Sequence, residues 1–247
     1  MRKPSARNIG KMLGAALLAA LLASAWAQEI DPRGLELLEG LSGPDMPEQI
    51  LNVDMTMTNT TFMEGEEISS TSRSVIDYEN ERAVIISSVM GMETRMVMAD
   101  GQVKMTAMGM SLPMPPGAES QFDSIFDEPS PANLVDNAER ITFDGPVSYG
   151  DLLAGDQVTY VGDAGLYGTP DSPEIHYVFD ASGALVGLHI PAAEGEMLMV
   201  YTEPMQSGIM NYDAKIYMLQ GGEWTLFQET AIENIQYNVE LDESLFQ

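Results

Sequence analysis

The sequence predicts a mainly β protein built on an antiparallel sheet, and three observations carry that expectation. From Ile50 onward apolar and polar residues alternate with a period of two, giving each segment one apolar and one wet face. About a dozen such segments follow one another with no alternating strand–helix rhythm, which favours antiparallel pairing. Asp100-Gly101, Asp180-Ala-Ser-Gly183 and Gly221-Gly222 stand between them, and each supplies residues that accept a positive φ in a tight connection.

The elements follow in chain order. Residues 1–27 read as a secretory signal peptide: a basic start (Arg2, Lys3, Arg7, Lys11), an apolar run from Met12 to Ala25, and Ala25-Trp26-Ala27 before an expected cut at Gln28. The run is about 14 residues, short of the roughly 20 that span a bilayer, so cleavage and export to the periplasm are expected rather than anchoring. Residues 28–247 then form a single domain. Asp31 to Leu41 is a short amphipathic helix with Leu35, Leu38 and Leu41 on one face. Val53, Met55 and Met57 alternate with Asp54, Thr56 and Thr58 in the first strand. Further strands are expected at 68–78, 82–90, 93–99, 102–110, 139–149, 156–162, 174–180, 184–190, 196–203, 209–219 and 223–239. The proline-rich stretch from Leu112 to Ala132 interrupts them as a lid-like excursion with a helix near 119–127, and a second short helix is expected from Asn133 to Asn137.

Composition excludes several functions. The chain has 247 residues, 38 acidic and 11 basic, for a net charge of −27. Four bases lie in the first eleven residues, so the processed chain carries 7 against 38, or −31. Such a chain has no footprint for nucleic acid and is repelled by anionic headgroups. The acidity reads first as a solvated surface that keeps an exported monomer soluble; salt adaptation and a docking face for a basic partner are the other readings. With no cysteine there is no disulfide, thiol nucleophile, Cys-ligated zinc or lipidated N-terminal Cys.

Catalytic signatures are missing: there is no G-x-S-x-G elbow, no H-E-x-x-H and, after the leader, no S-x-x-K. The two histidines, His176 and His189, fall inside strand patterns, and Asp77-Tyr-Glu79-Asn80-Glu81 falls short of a calcium loop. No catalytic residue, metal or cofactor is expected, and the chain does not read as an enzyme.

The methionines are the unusual feature. Of 19, two lie in the leader, and eight of the remaining 17 fall between Met90 and Met114. Five pairs have i, i+2 spacing: Met55/Met57, Met90/Met92, Met96/Met98, Met108/Met110 and Met197/Met199. On a strand that spacing puts both thioethers on one face, roughly 6.5–7 Å apart. Three readings compete. Met can simply replace Leu and Ile in an ordinary core, although it specifies packing poorly. M-x-M pairs can offer thioethers to Cu(I). Or the unbranched, polarisable side chains can line an adaptable apolar cavity, here formed by Met90, Met92, Met96, Met98, Met108 and Met110.

The last third of the chain adds a resemblance. Asp180-Ala-Ser-Gly183-Ala-Leu185, the strands Met197–Tyr201 and Ile209–Met218, then Gly221-Gly222-Glu-Trp224, lead to a closing Asn238-Val-Glu-Leu241-Asp242-Glu-Ser-Leu245-Phe246. This D-x-x-G-x-L hairpin, paired long strands and N-x-x-L-D-x-x-L-F ending resemble the outer-membrane lipoprotein carrier (LolA-like) family. The resemblance implies a curved antiparallel half-barrel, an incomplete barrel whose concave face is covered by short helices. It further implies a soluble, non-catalytic carrier that takes the acyl chains of a lipid or acylated lipoprotein between membrane-bound donor and acceptor proteins. Arg73, Arg82 and Arg95 are the candidates for that family's cavity arginine. The alternatives are a periplasmic Cu(I)-binding protein using the M-x-M pairs, and a non-binding structural protein of the envelope.

Overall fold

In the computed structural model the alternating segments become strands close to where the pattern places them. Residues 29–41, 49–63, 65–113, 123–126, 135–162, 174–191, 195–205 and 213–247 are described. Among these, 14 strands form one sheet. They are β1 (Glu29–Ile30), β2 (Asn52–Met63), β3 (Glu66–Asp77), β4 (Arg82–Val89), β5 (Met92–Ala99), β6 (Gln102–Ala107) and β7 (Met110–Leu112). After the middle of the chain come β8 (Ala138–Tyr149), β9 (Leu153–Gly162), β10 (Glu174–Phe179), β11 (Leu185–Ile190), β12 (Met197–Met205), β13 (Ala214–Gln220) and β14 (Glu223–Tyr237).

The hydrogen-bonded order is β1-β8-β9-β10-β11-β12-β13-β14-β2-β3-β4-β5-β6-β7. Two meanders, β2–β7 and β8–β14, are therefore joined along one seam where β14 pairs antiparallel with β2, from Tyr237 opposite Val53 to Gln228 opposite Thr61. The one parallel contact in this ladder is the two-residue pairing of β1 with β8. The order ends at β1 and β7 without joining them, so the sheet curves but does not close, as an open half-barrel.

Differences from the sequence reading have local causes. The stretch 102–110 is not one strand: it turns at Met108-Gly109, where both residues have positive φ (51° and 77°), and β7 returns beside β6. Met90-Gly91 (51° and 80°) makes the same turn as Asp100-Gly101 (53° and 67°). Methionine carries no turn signal, and a Cβ in the left-handed region is uncommon, so neither Met-Gly turn is announced by the usual dipeptides. The helix expected near 119–127 is represented by a 3₁₀ turn, η1 (Asp123–Phe126), with its flanks outside the described residues. The leader 1–27, residues 209–212 and the start of the expected 133–137 helix also lie outside them.

Helix α1 (Pro32–Glu39) forms where proline sets the first turn and the Asp31 carboxylate caps the backbone N–H groups of Arg33 and Gly34. It buries Leu37 and Leu38 against Ile141, Val158, Tyr160, Tyr177, Leu188 and neighbours from β8–β13. Gly34 permits this seat, since a Cβ there would stand 2.8 Å from the Ile141 Cγ2 methyl. The sheet side carrying α1 is called the inner face. On the outer face a second 3₁₀ turn, η2 (Glu243–Phe246), lays Phe246, Leu245 and the preceding Leu241 on Val75, Val84 and Val97.

Candidate functional site

The register carries the inner face across the seam. Ala214 and Ile216, which belong to the α1 core, lie opposite Thr230 and Gln228, and these lie opposite Asn59 and Thr61 of β2. From Asn59 the alternation leads to Met57, Met55 and Val53, and the pairings continue through Ile76 and Ala83 to Met98 and Val103. Every strand methionine whose side chain is described falls on this same face: Met55, Met57, Met63, Met92, Met96, Met98, Met105, Met110, Met197, Met199 and Met218. An ordinary core would scatter them between this face and the outer clusters. Instead the outer clusters draw on Val, Leu, Ile and aromatic residues.

The six methionines singled out from the sequence separate into two groups. Met96 and Met98 sit side by side on β5, with Met96 directly opposite Met105 and Met98 opposite Val103. Met92 and Met110 lie on the same face nearer the hairpin tips. Met90 and Met108 occupy turns rather than strands, so the i, i+2 rule does not place them with Met92 and Met110. Exposure rises along this path from Met98 at 2% through Met92 at 56% to Met90 at 81%. The three tips with exposed methionine, at Met63, Met90 and Met108, belong to the β2–β3, β4–β5 and β6–β7 hairpins and so share one end of the sheet. At its deep end the face is covered: Ile125 and Phe126 of η1 pack on the cluster of Val53, Ile76, Ala83 and Met98, alongside Met55 and Tyr237.

The inner face is not uniformly apolar. Between the α1 core and the methionines of the first meander runs a polar zone in which Asn59 Oδ1 accepts from Thr230 Oγ1 (2.8 Å) and Gln228 Nε2 (3.1 Å). Ser72 lies opposite Met57, and Ser74 lies opposite Met55. The α1 end is filled by its own aromatic and aliphatic side chains. A polar groove of about 430 Å³ lies outside α1, lined by Arg33, Glu36 and Ser182 among others, and includes no methionine.

None of the three candidate cavity arginines points to this face. Arg73 forms a two-bond ion pair with Asp54 (2.9 and 2.6 Å). Arg82 bridges Asp77 and Glu243, and Arg95 donates to the Leu245 carbonyl. All three sit at register positions of the outer face, on the side of Val75, Val84 and Val97. His176 and His189 are likewise outer-face residues of β10 and β11.

Neither a protein-family model nor a curated protein sequence matches the chain. Among solved structures it is similar to a DUF1329 family protein from Desulfovibrio piger, a putative outer membrane lipoprotein-sorting protein domain from Vibrio parahaemolyticus and a LolA superfamily protein from Nitrosomonas europaea. In each case the similarity covers 87% of this chain and 96% of the other, at 10% identity and a TM-score of 0.47. At that level the likeness bears on neither ligand nor activity.

Proposed function

We propose that this chain is an exported, monomeric, non-catalytic carrier that holds acyl chains of a lipid or acylated protein against the methionine-bearing inner face of the half-barrel. The observation that carries this reading is the gathering of all the described strand methionines on one face, graded from buried to exposed and covered at its deep end by Ile125 and Phe126. Methionine's unbranched thioether re-packs around guests of different shape at small cost. Burial is worth about 0.8 kcal/mol per CH₂, so a sixteen-carbon chain brings roughly 12 kcal/mol before ordering costs. The polar zone around Asn59 and Ser72 limits how much of that is realised, which suits a carrier that must also release.

A fluorescent fatty-acid probe tests this reading. Saturable binding is expected, weakened at least tenfold in a Met96→Glu/Met105→Glu double variant, and native mass spectrometry of protein from its host should show bound lipid. Protein that is consistently ligand-free and has no affinity for acyl probes would defeat the proposal. Met96 opposite Met105, with Met98 beside it, also favours a second reading as a thioether Cu(I) site. Tight stoichiometric Cu(I) uptake under anaerobic titration, lost in Met96→Leu/Met98→Leu, would select it instead.

A further inference from the structure

On the outer face of β10 and β11 the only two histidines of the chain are register partners. Their Nδ1 atoms face each other at 2.9 Å. His176 Nε2 lies 2.7 Å from Glu174 Oε1, and His189 Nε2 lies 2.9 Å from Glu196 Oε2, just ahead of β12. The rings are largely enclosed, with side-chain exposures of 14% for His176 and 8% for His189. Glu174, His176, His189 and Glu196 therefore form an unbroken chain of three hydrogen bonds, and each link requires one hydrogen.

Two neutral imidazoles carry one N–H each, and an ionised carboxylate carries none. Two hydrogens cannot fill three links. We infer that this chain of four groups binds a third proton at neutral pH and acts as a proton-operated clamp tying the start of β12 to the β10–β11 hairpin. With three protons, one ring donates in both directions while the other donates outward and accepts at Nδ1, and every link is satisfied. With two, a ring nitrogen lone pair is left facing a carboxylate or the other ring at under 3 Å. With four, two N–H groups meet nose to nose across the 2.9 Å gap. The clamp is closed within a pH window bounded on both sides.

The surroundings support the shared proton. Glu174 and Glu196 supply two negative charges to the pair, and Arg140 of β8 reaches Glu174 at 3.4 Å. The Tyr149 ring of β8 packs at a tilt against His189, 4.7 Å between centroids, and Trp224 of β14 meets it edge-on at 6.0 Å. Burial pushes the Tyr149 phenol up to about 12, so it stays neutral and donates to Gln157 Oε1. Asp144, the other carboxylate nearby, is engaged by Gln157 and Thr159. Burial also pushes His189 down against the pull of its hydrogen bond to Glu196.

Ring-nitrogen NMR on the untagged, processed chain reads this cluster alone, since no other histidine exists. The expected result is three protonated nitrogens of four at pH 7. The third proton should leave only above the ordinary histidine value of about 6.5, and a fourth should enter well below it. Glu196→Gln, at a half-exposed position, should lower the pH at which the third proton leaves by about one unit or more. Hydrogen exchange at the Met197–Met199 amides, corrected for intrinsic rate, should be slowest inside the window and faster on both sides. Two neutral rings at pH 7 titrating independently near 6.5, or no response to Glu196→Gln, would overturn the inference.

Discussion

The Arg82 guanidinium donates to Asp77 at 2.7 Å and to Glu243, while its Cζ sits 4.3 Å over the Phe246 ring. Asp77 is buried, and burial alone would raise its carboxyl. Hydrogen bonds from Asn80 and Arg82 more than offset this and hold it below the usual carboxylate range. Arg82→Met leaves Asp77 with only the Asn80 donors among these partners and removes the grip on η2. It should lower unfolding stability by about 1–3 kcal/mol in chemical denaturation; an unchanged midpoint would refute this role. Gly187 is a second constrained position: a Cβ there would stand 2.4 Å from the Met199 carbonyl and 2.8 Å from a Leu153 methyl. In most strands Gly→Ala stabilises slightly. Here Gly187→Ala should cost about 1–3 kcal/mol, because a backbone carbonyl cannot step aside.

At the scale of elements, η2 is held by carboxylates whose values are depressed in the folded state: Glu243 by its hydrogen bond to Arg82, and Asp77 as above. A depressed group contributes stability above its unfolded value, near 4, and loses it as pH falls through the folded one. Acidification below about pH 4 should therefore release η2 first, read as faster exchange of the Leu245 and Phe246 amides while β8–β13 stay protected. The methionine hairpins make a different prediction. Dilute peroxide should oxidise Met90 and Met108 fastest, Met96 and Met105 more slowly and Met98 last, as resolved by peptide mapping. Equal rates at Met98 and Met90 would mean that the face is open to solvent throughout.

These elements also mark what the sequence could say. Alternation placed the strands within a few residues because one face of each is buried, and a slip of one would expose the whole set, as Val53-Asp54-Met55 makes plain. The turn at Met108-Gly109 was not legible, since methionine is no turn former and the strands on both sides hold it at positive φ, whereas the break after residue 90 fell between two expected strands. The outward aim of Arg73, Arg82 and Arg95 follows from register, which a single strand does not specify. The histidine chain was invisible for the same reason: His176 and His189 are neighbours only through the pairing of β10 with β11.

On the scale of the whole molecule, the two ends of the sheet are packed differently. The α1 end is a filled core around Tyr160, Tyr177 and Phe179, whereas on the first meander it is η1, among the described residues outside the sheet, that packs on the inner cluster of Val53, Ile76, Ala83 and Met98. Phe126→Ala should therefore loosen the cover over Met98 with little effect on the α1 core. Faster peroxide oxidation of Met98 with a melting temperature within a few degrees of wild type is the expected pair of results.

The seam between the meanders sets the order in which the molecule can be completed. β2 is among the first strands synthesised and β14 is the last, and Asn52 meets Val239 across 187 positions of chain. Until the final residues arrive, β2 presents an unsatisfied edge beside its row of methionines, open to any stray strand. Pairing β14 with β2 is thus a long-range closure, which the local hairpins within each meander precede.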